Sequence, residues 1–162
     1  MNDFQRTGSA LADSTDQIAA SAEHYLDHFL PFHLHRVMAH ATQMANTDYR
    51  PDGITVPEAR LLMTLLLSPD LPAGRLSELL CVERSLMSHM MRDLAAKQLI
   101  TRTRDEANRR IIRVSLTDKG RAQAEKCRQL AAGHERRLVK GLSARERLTL
   151  RDLLDRMYEN IR

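Results

Sequence analysis

The sequence predicts a mainly α fold with one small β-hairpin, on three observations. Apolar residues recur at helical spacing along most of the chain. A two-residue alternation occurs only between Leu99 and Leu116. Thr55 with Glu58, and Ser143 with Glu146, have capping-box spacing immediately before apolar-periodic stretches.

Taken in order, residues 1–15 are small and polar without period and read as a flexible arm. From Asp16, the positions Ile18, Ala22, Tyr25 and Phe29 share one helical face. Pro31 either kinks this helix or starts a second one, and Leu34, Val37, Met38, Ala41 and Met44 resume the pattern. Asn46–Gly53 reads as a turn-rich loop. The box at Thr55 opens a helix whose Leu61–Leu67 run predicts burial, and Ser68–Pro72 ends it. Ala73–Leu80 is a short helix, Cys81–Glu83 a tight turn, and Arg84–Gln98 a longer helix with a core face of Leu86, Met87, Met90, Met91 and Leu94. Leu99–Arg104 and Ile111–Leu116 are β-rich, with Ile112, Val114 and Leu116 alternating against Arg113 and Ser115, and Asp105–Arg110 joins them. Thr117 caps a helix to about Lys140, and Ser143 caps a last one carrying Leu150, Leu153, Leu154, Met157 and Ile161.

A chain of 162 residues holds one domain with helical extensions. It contains no run of eighteen apolar residues, so no membrane span is expected. Its N-terminus lacks the cationic-then-apolar order of a secretory signal. Cys81 and Cys127 form neither a disulfide framework nor a CxxC pair, which predicts a reduced, cytoplasmic protein with no cofactor or metal. Charge is segregated. Residues 1–83 carry five Lys/Arg against eleven Asp/Glu, whereas residues 84–121 carry ten against four and residues 122–162 ten against six. A positive field confined to part of a chain suits a polyanion, whose condensed counterions are released on contact.

Short helix, three-residue turn and longer helix make a helix-turn-helix, whose second helix fits a DNA major groove. The hairpin after it is then a wing. Arg84, Ser85, Ser88, His89 and Arg92 are the outward positions of the longer helix, all able to hydrogen-bond base edges or phosphates. Arg109 and Arg110 sit at the wing tip, flanked by Arg102, Arg104 and Arg113, and an extended arginine suits a narrow minor groove.

The segments ITVPEARLLMTLL, RLSELLCVERSLMSHMMRDLAAKQLITR and DEANRRIIRVSLTDKG, between Ile54 and Gly120, resemble the MarR family of winged-helix regulators. The last segment resembles the family's wing signature, Asp, two to three residues, Asp-Arg-Arg, several residues, then Val-x-Leu-Thr-x-x-Gly, but Asn108 stands where the family commonly has aspartate immediately before the paired arginines. That puts the wing's rigidity in question, with Asp105 and Glu106 as candidates to compensate. The resemblance implies a homodimer, built from N- and C-terminal helices, on a pseudo-palindromic operator in double-stranded DNA. Apolar stripes on the terminal helices, too many for a small core, favour the same pairing. It divides the chain into an arm (1–15), an N-terminal dimerisation region (16–53), a winged helix-turn-helix lobe (54–120) and C-terminal dimerisation helices (121–162). It also implies release from DNA by a small aromatic or phenolic acid, with His35, Arg36 and Met63 as candidate ligand residues, Arg36 taking a carboxylate bidentately.

The sequence therefore reads as a sequence-specific regulator, a repressor released by ligand. Rival readings keep the fold and change the partner. A protein-interaction module needs apolar outward residues where Arg84, Ser88, His89 and Arg92 stand. A metal sensor could use His24 and His28, one helical turn apart, but no second such pair completes a site. A redox sensor could use Cys81, although none of the cysteines falls in the N-terminal helices, where the family's peroxide sensors carry theirs. An enzyme is not expected, since the chain has no GxSxG, P-loop, HExxH or glycine-rich dinucleotide loop.

Overall fold

A computed structural model describes residues 25–161, and the chain divides into two compact units, residues 1–42 and residues 43–162. The expected arm over 1–15, the helical positions Ile18 and Ala22, and His24 lie outside the described residues. The described elements are α1 (Leu30–Tyr49), a 3-10 turn (Arg50–Asp52), α2 (Val56–Leu67), β1 (Leu71–Pro72), α3 (Ala73–Leu79), α4 (Arg84–Ala96), β2 (Ile100–Arg104), β3 (Ile112–Leu116), α5 (Asp118–Leu138) and α6 (Ala144–Glu159).

In the first unit, residues 25–28 are helical, Phe29 steps out, and α1 starts at the next residue. Pro31 therefore sits in the first turn of a new helix, where its missing N–H removes no intrahelical bond. The break is bridged locally. Tyr25 stacks on Phe29 with ring centroids 5.4 Å apart, and His33 Nε2 donates to the Asp27 carbonyl at 2.7 Å.

The second unit opens on the end of α1. The loop expected over Asn46–Gly53 is instead helical to Tyr49 and 3-10 to Asp52, closed by Gly53 in the left-handed region at φ 64°. Local turn propensity loses here to contacts with α5. Tyr49 is buried, its ring edge-on to His134 at 5.5 Å and its hydroxyl donating to the Cys127 carbonyl at 3.4 Å. Asp48 accepts from His134 and Arg137 at 2.8 and 2.9 Å, and Asp52 accepts from Lys126 and Gln123 at 2.7 and 3.1 Å.

The predicted capping box opens α2, with the Thr55 N–H donating to Glu58 at 2.7 Å and Glu58 N–H returning to Thr55 Oγ1. Leu61, Leu62 and Leu65 form the centre of the core with Leu76, Met87, Leu94, Val114 and Cys127. Burial of α2 is one-sided, because Leu67 is 78% exposed. Glu58, though buried, keeps its charge paired to Lys97 Nζ at 2.7 Å, which joins the start of α2 to the end of α4.

The sheet has three antiparallel strands in the order β1-β3-β2. Strand β1 was not expected from the sequence: Leu71 pairs with Val114, and Pro72 with Arg113. Two residues are too few to show alternation, and a proline tolerates only an edge strand. Thr117 caps α5 by accepting from Gly120 N–H at 2.9 Å while donating to the Gln98 carbonyl at 2.7 Å. Gly120 lies against backbone: a Cβ there would stand 1.7 Å from the Leu99 carbonyl oxygen. Helix α6 carries the second predicted capping box, and none of its residues is buried. Among the described residues no helix is long and apolar enough to cross a membrane.

Candidate nucleic-acid interface

Helix α3 ends where Val82 N–H donates to the Ser77 carbonyl at 3.0 Å and Cys81 adopts φ 50°. This left-handed residue reverses the chain within the turn, and α4 begins three residues later. The turn orients α4 so that Met87, Met90, Met91 and Leu94 enter the core. Each buried side chain of this kind stabilises the lobe by about 1.5–3 kcal/mol. Leu86, expected in that face, is instead 47% exposed. The buried stripe recurs at three- and four-residue steps from Met87, and Leu86 falls a hundred degrees off it.

Arg84, Ser85, Ser88, His89 and Arg92 are all exposed on α4. Ser88 Oγ donates back to the Arg84 carbonyl at 2.9 Å, and the Arg92 guanidinium lies 2.5 Å from His89 Nδ1. Arg84 makes no side-chain hydrogen bond or ion pair among the described residues. The polar edge of the helix is therefore open to solvent.

The wing is β2 and β3, in register from Ile100 opposite Leu116 to Arg104 opposite Ile112. Asp105 closes its loop: one carboxylate oxygen accepts the Ala107 and Asn108 N–H groups, each at 3.0 Å, and the other accepts Arg113 Nε at 2.6 Å. The Arg113 guanidinium, followed by the two backbone donors, holds the Asp105 carboxyl below the usual aspartate range. Asn108 Oδ1 accepts Arg110 N–H at 3.1 Å. Of the two acids named as candidates to hold the wing, Asp105 is the one bonded into its loop.

The arginines of the wing fall into two classes. Arg102, Arg104, Arg109 and Arg110 are exposed, and their side chains have no hydrogen-bond or ion-pair partner among the described residues. Arg113 is engaged: beyond Asp105 it donates through Nη1 to the Asp70 carbonyl at 3.0 Å and to the Asp70 carboxylate at 3.1 Å. Asp70, at φ 59° just before β1, also accepts Ser115 Oγ at 3.3 Å. Sequence reasoning missed Asp70. Its only local signal was its place in the Ser68–Pro72 breaker, which gives no hint of a partner 43 residues away.

A family model described as the MarR family matches residues 54–112, the stretch from just after the 3-10 segment to the first residue of β3. Over this stretch the chain is similar to the MarR family. An uncharacterised HTH-type transcriptional regulator, YdgJ of Bacillus subtilis, is 28% identical over 109 residues, which are 67% of this chain and 66% of that protein's length. A mutant of MarR from E. coli, complexed with operator DNA, superposes with a TM-score of 0.72 at 26% identity, covering 79% of this chain and 92% of its own. A MarR-family regulator from Silicibacter pomeroyi gives 0.76 at 28%, covering 87% and 95%. The transcriptional repressor CouR, bound to a 23-mer DNA duplex, gives 0.75 at 27%, covering 82% and 94%. The fold of this chain is accordingly that of MarR-family transcriptional regulators.

The candidate ligand residues are divided between the units. His35 and Arg36 are exposed on α1 in the first, where the Arg36 guanidinium lies 5.7 Å from the Phe32 ring centroid. Met63 is half-buried on α2 in the second. Among the described residues no group of three or more His, Cys, Asp or Glu is arranged to hold a metal ion. Cys81 is exposed, its sulfur 3.5 Å from the Tyr158 hydroxyl, while Cys127 is buried, which pushes its thiol pKa up.

Proposed function

We propose that this protein is a cytoplasmic, sequence-specific double-stranded DNA-binding transcriptional regulator, acting as a homodimer on a pseudo-palindromic operator. One observation supports this reading above the rest. Four wing arginines are left without acidic partners beside a recognition helix whose outward face is polar, in a fold whose relatives include proteins solved on DNA. Arg84, Ser85, Ser88, His89 and Arg92 read bases and phosphates in the major groove, and Arg109 and Arg110 clasp the adjacent minor groove. The exposed leucines of α6 supply the second copy's docking face.

The same reading makes the protein a repressor released by a small aromatic acid. Arg36 supports it, since its guanidinium rests on an aromatic ring and has no carboxylate partner among the described residues.

The test is duplex selection from random DNA, then affinity measured against salt with and without aromatic acids. Arg109→Ala and Arg110→Ala each weaken binding and lower the slope of log affinity on log salt by about 2, one contact from each protomer of the dimer. If neither change moves affinity or slope, the wing has no part in binding.

A further inference from the structure

Asp70, Arg113 and Asp105 form one continuous bridge across three parts of the fold. Asp105 follows β2 and closes the wing loop, Arg113 lies in β3, and Asp70 precedes β1, the strand that runs directly into α3. Arg113 donates to both acids, at 2.6 Å through Nε and 3.1 Å through Nη1, so its five-donor fork is largely committed within the protein. The Asp105 side chain is only 15% exposed. Two acids therefore stand at the base of a wing whose tip is meant for a polyanion. On charge alone they oppose binding.

We infer that Asp105 and Asp70 are positioning residues for DNA recognition. Acting through Arg113, they fix the wing's angle to the helix-turn-helix and so aim Arg109 and Arg110. Arg113 itself is withheld from DNA. The register of β2 and β3 alone does not hold the loop, because the strands stop at Arg104 and Ile112. Between those ends, the Asp105 N–H to Ile111 carbonyl bond (3.0 Å), the Ile111 N–H to Asn108 carbonyl bond (2.8 Å) and the Asp105 carboxylate shape the turn. Of these, the carboxylate reaches toward β1, through Arg113 to Asp70. An unaimed arginine keeps its charge but loses the fixed geometry that groove insertion needs, and must pay ordering entropy on contact.

This inference rests on the DNA-binding reading, and Asp105→Asn separates the two. Substitution of an acid near DNA by a neutral isostere tightens binding if the acid acts only by repulsion. The bridge predicts the reverse sign: Asp105→Asn weakens binding to the selected duplex about tenfold. It also removes most of the further loss caused by Arg110→Ala, because the arginine is no longer aimed; the two changes are then strongly non-additive. Asp70→Asn shows the same sign. Amide exchange supplies a readout without DNA, with Ala107 and Asn108 exchanging faster in Asp105→Asn while core amides stay protected. If the wild-type chain binds and Arg110→Ala weakens it, yet Asp105→Asn binds as well or better, or its loss simply adds to that of Arg110→Ala, the positioning role is overturned and the DNA-binding reading stands. Absence of wild-type binding to any duplex overturns both.

Discussion

Gly120 shows how far a single residue constrains the lobe. Thr117 must turn the chain out of β3 into α5, and its two hydrogen bonds, to Gly120 N–H and the Gln98 carbonyl, hold the first turn of α5 on the end of α4. That contact brings the Leu99 carbonyl onto the Gly120 Cα, leaving no room for a side chain. The terminal glycine of the Leu-Thr-x-x-Gly signature is therefore required by close approach; its φ lies outside the left-handed region that demands glycine elsewhere. Gly120→Ala is expected to destabilise the protein by about 3 kcal/mol, since the obstacle is backbone and cannot rotate away. Urea unfolding followed by circular dichroism measures it. A midpoint within error of wild type shows that the α4–α5 corner yields without cost. Cys81 and Gln98 adopt left-handed backbone without being glycine, at φ 50° and 58°, and neither could be read from the sequence, because glycine is the signal for such positions.

Elements specified by their own caps and periods were legible; elements specified by distant partners were not. Both capping boxes, the short helix, the turn, the recognition helix and the wing follow from local pattern. The end of α1 does not. Asn46–Gly53 has turn composition, and only Asp48, Tyr49 and Asp52 reaching α5 keep it helical. Nor does β1, whose pairing depends on β3. The exposure of Arg84, Ser85, Ser88, His89 and Arg92 was legible, but the division of wing arginines into free and engaged was not, since it turns on Asp70. The α1–α5 junction makes an acid-sensitive prediction. Lys126, then Gln123, hold the Asp52 carboxyl below its ordinary value of 3.8. A carboxyl depressed in the folded state contributes stability above its unfolded pKa and loses it as pH falls through the folded one. Asp52→Asn should thus lower the urea midpoint at pH 7, with the gap to wild type closing below about pH 3.8. A gap of equal size at both ends would assign Asp52 a role independent of its charge.

On the scale of the whole molecule, α6 needs a partner. It is a 16-residue helix without one buried residue, and Leu148, Leu150, Leu153, Leu154 and Tyr158 are each at least 40% exposed. The C-terminal part of α5 adds Leu138, and together with Leu148, Leu150 and Leu154 it lines an apolar groove between α5 and α6, edged by Glu135, Arg147 and Arg151. An isolated helix of this length is marginal in water, so a contiguous apolar face of this extent is stable only when covered. In the proposed homodimer a second copy covers it symmetrically, each α6 offering the same stripe to the other. That arrangement sets two recognition helices at a fixed separation and requires half-sites about one helical turn of DNA apart. Leu150→Asp with Leu153→Asp is expected to shift the protein from dimer to monomer in sedimentation velocity at micromolar concentration. Loss of the second half-site's contacts then weakens operator binding by at least a hundredfold, while binding to a single half-site changes little. If the double substitution leaves a dimer with full operator affinity, α6 does not form the subunit interface.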